Sequence, residues 1–179
     1  MSKTVDILTT AIGWAMQGAP FGDVANKLKE LDEVKVRVWR EDDTVKLPVY
    51  AKQGDACMDV YVHSIEHKED GRICYHTGLH FKLPEDYEME IRPRSSNTKT
   101  TAVMQNAPGT LDEGYTGELM IVHRSLDNPN IAMAQYAVGD RCAQILIRRR
   151  ERIIWDEVTT QEELGVTERG AGGFGSTGK

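Results

Sequence analysis

The sequence has few of the features that mark membrane, secreted or nucleic-acid-binding proteins. Its 179 residues contain no apolar run of about 18 residues, which a membrane-spanning helix needs. The cysteines number three and are widely spaced, which argues against a disulfide framework and favours reduced thiols in a cytosol. The net charge of −6 and the pI of about 5.4 argue against a general nucleic-acid binder, which needs a basic face. We therefore expect a cytoplasmic protein that binds neither membranes nor nucleic acid.

The N-terminal part of the sequence is helical in pattern. Val24, Leu28 and Leu31 recur at helical spacing, and Asp23 is a suitable N-cap for a helix that would carry them. A second short helix is predicted over residues 5–16, because a Gly-Ala-Pro sequence follows it.

From residue 34 onward the apolar residues recur at every second position. The alternating runs are Val34-Val36-Val38, Leu79-Phe81-Leu83, Met89-Ile91 and Ala143-Ile145-Ile147. Such short runs, separated by turn residues, predict an antiparallel β-sandwich or barrel. We expect an all-β protein with three parts: a helical extension over residues 1–33, a β core over 34–160 and a flexible C-terminal arm over 161–179.

The last eleven residues, Arg169–Lys179, combine five glycines with two hydroxyls, two cations and one aromatic ring. Glycine lets a backbone approach a ligand closely, and successive N–H groups can bind an anion. The lone Phe174 can cover a flat apolar ring. This composition suggests a nucleotide lid, although it is also typical of a flexible Gly/Ser tail.

Three internal segments carry groups suited to phosphate or base recognition. Arg94, followed by two serines, offers a planar fork for phosphate oxygens. The segment Asn106–Glu118 has the glycines and the proline of a tight hairpin, and its Asp112 could deprotonate a water. Asp59 could help to hold a hydrated Mg²⁺ or a basic partner. Each segment taken singly is equally typical of an ordinary turn.

Two histidine pairs, His63/His67 and His76/His80, have the i, i+4 spacing of helical zinc ligands. Both pairs lie in β-patterned sequence, where residues four apart are separated by about 13 Å. We therefore predict no zinc site from them.

The order of five motifs is more informative than any one of them. They are Ala56-x-x-Asp59-Val60, Pro93-Arg94-Ser95-Ser96, Asn106-x-Pro-Gly-x-Leu-Asp-x-Gly-Tyr-x-Gly-Glu118, Gly139-Asp-Arg-x-Ala-Gln144 and Arg169-Gly-x-Gly-Gly-Phe-Gly-Ser-Thr-Gly178. In this order they closely resemble the motifs of the homotrimeric dUTPase family, over roughly Lys35 to Lys179. The third and fifth motifs are the most specific.

The resemblance implies a fold and a reaction. The fold is a distorted β jelly roll, and the reaction is hydrolysis of dUTP to dUMP and pyrophosphate, which supplies dUMP and keeps uracil out of DNA. It also implies a homotrimer whose active sites lie between subunits, with Mg²⁺ as the cofactor.

The resemblance assigns a role to each matching residue. Asp112 is implied to be the base that orients a water for in-line attack on the α-phosphorus. Tyr115 is implied to pack under the deoxyribose, and Asn106 to read uracil with backbone groups of the hairpin such as Gly109. The implied phosphate-contacting residues are Arg94, Ser95, Ser96, Gln144, Arg169, Ser176 and Thr177. Phe174, beside Gly175, is implied to stack on uracil, and Asp59 to support the metal indirectly, through water.

Some features depart from the family pattern or leave other functions open. Cys57 stands where the first motif commonly has Gly. A dCTP deaminase of the same superfamily is a rival, although the hairpin and arm motifs are dUTPase features. A nucleotide-sensing or docking protein is a second rival, with residues 1–33 or the insertion at 126–138 as the surface for a protein partner.

Overall fold

Two antiparallel β-sheets form the body of the protein. The computed structural model describes residues 3–29, 33–127 and 135–172. The strands in this part of the chain are β1 (Arg37–Arg40), β2 (Met58–Tyr61), β3 (Ser64–His67), β4 (Arg72–Lys82), β5 (Tyr87–Arg92), β6 (Ala102–Met104), β7 (Gly109–Leu111), β8 (Glu118–Ser125) and β9 (Arg141–Arg149). The first sheet has the order β1-β4-β8-β6, with β3 also paired to β4, and the second has the order β2-β9-β5-β7. This is the predicted all-β fold.

The core lies between the two sheets and follows the alternation in the sequence. Leu79, Phe81 and Leu83 are buried, as predicted, and so are the apolar residues of β5 and the first half of β9. Burying one such side chain contributes about 1.5–3 kcal/mol relative to leaving it exposed. The run beginning at Val34 was predicted less well, because β1 begins only at Arg37 and all four of its residues are exposed.

The pairing of β4 with β8 is interrupted by a bulge. His76 lies opposite Met120 and His80 lies opposite Glu118, so two extra residues of β4 are accommodated between these pairs. Gly78 lies in the bulge with φ of 64°, and a Cβ there would approach a methyl group of Val45 to 2.6 Å. Glycine is required at this position because both its backbone angle and its surroundings exclude a side chain.

Two helices precede the sheets, α1 (Lys3–Met16) and α2 (Phe21–Lys29). They pack against each other, and Ile7 and Ala11 of α1 are buried. The predicted N-cap is wrong, because α2 begins at Phe21 and Asp23 lies within its first turn, where the Asp23 N–H donates to the Pro20 carbonyl. There its carboxylate still interacts favourably with the helix dipole. Leu31 lies outside the described residues.

The segment after β9 forms no regular secondary structure up to residue 158 and exposes large apolar side chains. Residues 150–158 form no strand, and a 3₁₀ turn follows at Gln161–Leu164. Ile153, Ile154 and Trp155 are 66%, 80% and 89% exposed, respectively. This segment buries little of its apolar surface against its own subunit.

All three cysteines of the chain are free thiols. Cys57, Cys74 and Cys142 are unpaired, and burial raises the pKa of the Cys142 thiol to about 12. Cys142 is therefore an inert core residue at neutral pH.

Within the described ranges, no helix has the length and apolar character to cross a membrane.

A buried histidine lies in the core beside two tyrosines. His123 of β8 is 1% exposed, and its ring lies edge-on to the rings of Tyr75 and Tyr136 at centroid distances of 5.4 and 5.6 Å. Neither of its ring nitrogens has a hydrogen-bond partner among the described residues. Burial disfavours the charged ring and lowers the pKa of His123 to about 4.

We predict that His123 makes the fold acid-sensitive. The unfolded histidine titrates near 6.5 and the folded one near 4, so protons bind the unfolded state preferentially between these values. Above pH 6.5 the titration of His123 therefore does not lower the free energy of unfolding. As the pH falls from 6.5 to 4, it lowers that free energy by about 3 kcal/mol. Urea unfolding at pH 7, 5.5 and 4.5 should show a smaller loss for His123→Leu than for the wild type. Equal losses in both proteins would contradict this role.

Candidate functional site

The third motif folds as a hairpin that presents a carboxylate and an aromatic ring. Asp112 directly follows β7, and a turn closes where the Tyr115 N–H donates to the Asp112 carbonyl at 3.0 Å. The Tyr115 hydroxyl donates to the Glu118 carbonyl at 3.1 Å. A Cβ at Gly117 would lie only 2.5 Å from the Tyr115 Oη. The absence of a side chain at Gly117 therefore allows the ring to lie flat along the hairpin.

The hairpin borders a cleft of about 490 Å³. The cleft brings together four of the predicted site residues, which are Asn106, Gly109, Asp112 and Tyr115. A Cβ at Gly109 would lie 2.6 Å from the Asn106 carbonyl oxygen. The turn from Asn106 to Gly109 therefore requires a residue without a side chain at Gly109.

The Asn106 side chain pairs with the backbone of β8. Its Nδ2 donates to the Met120 carbonyl at 2.8 Å, and its Oδ1 accepts from the Val122 N–H at 3.0 Å. The amide thereby continues the pairing of β8 on its β6 side, beyond the last β6 pair, Met104–His123. One N–H and one lone pair of the amide remain for a ligand.

The Asp112 carboxylate is exposed and accepts no hydrogen bond from any residue that the structure describes. It lies on the same short loop as the fixed ring of Tyr115. A carboxylate in this state is available to accept a proton from a water held beside it.

Residues of the first, second and fourth motifs meet in a second group, at one end of the β2-β9-β5-β7 sheet. Asp59 Oδ1 accepts from Arg94 Nε at 2.7 Å, and Oδ2 accepts from Arg141 Nη1 at 3.0 Å. Arg94 also donates to Ser96 Oγ at 3.1 Å. The Asp59 side chain is only 11% exposed, so loss of both partners would leave a partly buried, unpaired charge, which is strongly destabilising. The carboxylate thus fixes the guanidinium of Arg94.

Strand register explains why these motifs meet. β9 lies between β2 and β5, so Gln144 is opposite Asp59 on one side and Arg92 on the other. Gln144 Nε2 donates to the Pro93 carbonyl at 3.1 Å. Ser95 opens the 3₁₀ turn Ser95–Lys99 and is exposed.

Among the described residues, the predicted phosphate-contacting side chains lie outside the lining of the hairpin cleft. Arg94, Ser95, Ser96 and Gln144 are absent from the lining of the hairpin cleft. Arg169 is also absent from it; it is exposed, and its Nε donates to the Gly172 carbonyl at 2.9 Å. The remaining arm residues Phe174, Gly175, Ser176 and Thr177 lie outside the described residues.

The metal prediction is not tested by this geometry. Both oxygens of Asp59 face guanidinium groups, and the described part of the chain contains no group of three or more His, Cys, Asp or Glu residues suited to a metal ion. These residues fit a Mg²⁺ carried by substrate phosphates and water, the usual manner for this ion, better than a metal held by the protein alone.

The sequence did not identify some residues that shape the site. Arg141 is the second partner of Asp59, and its place in the fourth motif was its only signal. His76 and His80 contact the hairpin from β4, because His76 Nδ1 lies 2.8 Å from Glu118 Oε2 and His80 Nδ1 lies 3.1 Å from the Thr116 carbonyl. Gly78 between them was the available signal, since glycine inside a strand pattern suggests a bulge.

Comparison with known proteins agrees with this arrangement. The dUTPase family model matches residues 43–178. The chain is similar to the deoxyuridine 5'-triphosphate nucleotidohydrolase of Fusobacterium nucleatum, at 40% identity over 153 residues, or 83% of this chain and 100% of the relative. The enzyme of the same name from Wolinella succinogenes is 37% identical over 154 residues, covering 85% of this chain and 99% of the relative.

Solved structures show the same fold. The dUTPase of Staphylococcus bacteriophage 80alpha, in complex with dUPNHPP, superimposes with a TM-score of 0.64 at 24% identity, covering 81% of this chain and 99% of that one. A mutant dUTPase of phage phi11 of S. aureus, described with a structural Mg(II) ion, superimposes with a TM-score of 0.53 at 20% identity, covering 72% and 99%. The jelly-roll prediction is thereby confirmed. With its family model, its relatives and its fold in agreement, the chain belongs to the dUTPase family.

Proposed function

We propose that the hairpin cleft is where this chain carries out the reaction of its family, the hydrolysis of dUTP to dUMP and pyrophosphate. The observation that carries the proposal is the pairing of an exposed, unoccupied carboxylate, Asp112, with the fixed ring of Tyr115 in one cleft. A base and a sugar platform on the same rigid turn are the two elements that such a reaction needs.

In this mechanism Asp112 orients a water and accepts its proton. The water oxygen forms a bond to the α-phosphorus in line with the bond to the bridging oxygen of the β-phosphate. The bond between the α-phosphorus and this bridging oxygen breaks, and pyrophosphate leaves with the electron pair of that bond. Phosphoryl-transfer chemistry of this kind depends mainly on positioning and on charge stabilisation.

The nucleoside end of the substrate is proposed to bind in the hairpin cleft. Tyr115 would pack under the deoxyribose and leave no room for a 2′-hydroxyl. Uracil would be read by the free N–H and lone pair of the Asn106 amide, together with the backbone near Gly109. The narrow hairpin would exclude a 5-methyl group on the base. The fixed Tyr115 ring and the short approach of Gly109 to Asn106 support this assignment.

The triphosphate is proposed to bind Arg94, Ser95, Ser96 and Gln144. The Asp59 carboxylate supports this role, because it holds the guanidinium of Arg94 in place before a ligand arrives. We propose Mg²⁺ as the cofactor; when bound, it neutralises charge on phosphate oxygens. Asp59 remains a predicted indirect support for the metal, acting through water.

We further propose that the protein is a homotrimer whose active sites are shared between subunits. Two observations support this. Arg94, Ser95, Ser96 and Gln144 do not line the hairpin cleft of their own chain, and the segment after β9 leaves Trp155 89% exposed. Residues of the arm, Arg169, Phe174, Gly175, Ser176 and Thr177, would close over a site that two other subunits form. A partner protein at residues 1–33 or 126–138 stays a prediction.

We predict that Asp112→Asn lowers kcat by about 10²–10⁴-fold, because a positioned base contributes that much. The affinity for a non-hydrolysable dUTP analogue should change little, since the amide keeps the shape of the carboxylate. Pyrophosphate release measures the first quantity and calorimetry the second. Asp43→Asn, which removes an exposed carboxylate outside the cleft, is the matched control. Turnover within tenfold of wild type in Asp112→Asn would refute the assignment.

We predict that Gly117→Ala raises the KM for dUTP about tenfold or more, the usual cost of a misfitted contact. The added methyl would collide with the Tyr115 ring and displace the sugar platform, and discrimination against UTP should weaken with it. Gly114→Ala is the matched control, because a Cβ there meets no atom within 4 Å. Steady-state kinetics with dUTP and UTP would test this, and similar constants for both variants would contradict it.

We predict that Trp155→Ser disrupts the trimer. Burial of this side chain against another subunit would contribute a large apolar area, so its loss should shift the mass measured by light scattering towards the monomer. Met16→Ser, at an equally exposed apolar position on α1, should leave the mass unchanged. A wild-type protein that is itself monomeric would disprove the proposed assembly.

A further inference from the structure

The outer side of the hairpin is held by side chains of β4 at the bulge. Between the pairs His76–Met120 and His80–Glu118 the regular ladder is interrupted. Side chains make the connections there instead. The Gly78 N–H donates to Glu118 Oε1 at 2.8 Å, and Thr77 Oγ1 donates to the Leu119 carbonyl at 2.6 Å. These contacts connect β4 to the start of β8 where the ladder is interrupted.

His80 contacts the loop of the hairpin. Its Nδ1 lies 3.1 Å from the carbonyl oxygen of Thr116, the residue between Tyr115 and Gly117. Its Nε2 lies 3.1 Å from Glu41 Oε1. The ring also packs against Trp39 at a centroid distance of 4.7 Å, which limits its rotation.

Both ring nitrogens of His80 thus face hydrogen-bond acceptors. A carbonyl oxygen only accepts, and an ionised carboxylate only accepts, whereas a neutral imidazole carries a single N–H. Both contacts can be hydrogen bonds at the same time only when the ring is an imidazolium.

We infer that His80, as an imidazolium, is a positioning residue for the catalytic hairpin, because it ties the Thr116 carbonyl to Glu41 at the end of β1. The inference rests on the roles proposed above for Asp112 and Tyr115. His80 acts through the hairpin backbone, and it places the Tyr115 ring and the Asp112 carboxylate without touching the substrate.

The charges around His80 come from two other elements, β1 with the residue that follows it and β8, and from β4 itself. Glu41 follows β1, and Glu118 lies on β8. Two cations, Arg37 of β1 and Lys82 of β4, line the same shallow cleft as the histidine ring. Burial alone would lower the pKa of His80, but the hydrogen bonds to Glu41 and Thr116 and the two carboxylate charges raise it overall. The charged ring is therefore favoured more than in a free histidine.

Two neighbouring contacts bear on any pH dependence. Lys82 Nζ donates to the Glu113 carbonyl at 2.8 Å, so the start of the loop stays attached when His80 loses its proton. His76 is also placed between two carboxylates, with Nδ1 at 2.8 Å from Glu118 and Nε2 at 3.4 Å from Glu66. Burial opposes its charge, yet hydrogen bonds to both carboxylates raise the pKa of His76. A test must therefore separate His80 from His76.

Glu41→Gln separates them. The amide can donate to Nε2 of a neutral His80 ring, whose Nδ1–H still reaches Thr116, so both hydrogen bonds of His80 form without the second proton. Two measurements follow these hydrogen bonds across pH 6–9: nitrogen-15 NMR of the histidine rings together with the Gly117 backbone amide, and kcat and KM for dUTP. The variants are Glu41→Gln, His80→Ala and the matched control Asp43→Asn.

We expect wild type and Asp43→Asn to show a doubly protonated His80 with a midpoint above 6.5, and a Gly117 amide shift and a decrease in kcat at the same midpoint. In Glu41→Gln the midpoint should fall and the corresponding step in kcat should disappear. His80→Ala should lower kcat roughly tenfold at pH 6.5, within the ~100-fold that a misplacement of 1 Å can cost, with a smaller effect on KM.

A neutral His80 at pH 6.5 in the wild type would overturn the inference, and so would a Gly117 amide that ignores its titration or wild-type kcat in His80→Ala. Absence of dUTP turnover in the wild type would overturn the proposed function instead. The NMR arm would then still decide whether the charged ring holds the hairpin. If His80→Ala fails to fold, Glu41→Gln and Asp43→Asn carry the comparison alone.

Discussion

The pairing of β4 with β8 is the interaction on which the site depends. β4 is buried along most of its length and supports β8, and β8 continues directly into the hairpin that carries Asp112 and Tyr115. The bulge at Gly78 interrupts this pairing at the level of the hairpin, and the side chains of Thr77, His80 and Glu118 replace the missing ladder. The hairpin is thereby held by polar contacts of defined geometry, as a site that must place a base and a sugar requires.

The proposed phosphate site concentrates two cations within an acidic chain. The net charge is −6, yet Arg94 and Arg141 converge on the single carboxylate of Asp59. Three motifs far apart in the sequence reach this point because β9 lies between β2 and β5. A partly buried acid is costly without partners, and this cost keeps the arginines in place before any phosphate arrives.

The sequence predicted the elements better than their relations. Strict alternation identified β5 and the end of β4, because one face of each is buried, whereas β1 is exposed throughout and its start was placed too early. The order of the motifs identified Asp112, Tyr115 and Asn106 as members of one site, and the structure places them in one cleft. The roles of His80 and Arg141 depend on a bulge and on strand register, which no local pattern encodes. The boundaries at residues 33 and 160 stay predictions.

A subunit-mixing experiment tests the central claim most directly. The claim is that each active site combines the hairpin of one subunit with the phosphate-contacting residues around Arg94 of another. Arg94→Ala and Asp112→Asn should each be inactive alone. After the two are unfolded together and refolded, mixed trimers should regain about a quarter of wild-type dUTP hydrolysis, since each site then draws its two halves at random from two kinds of subunit. A mixture as inactive as its components, in trimers shown to be mixed, would contradict the shared site.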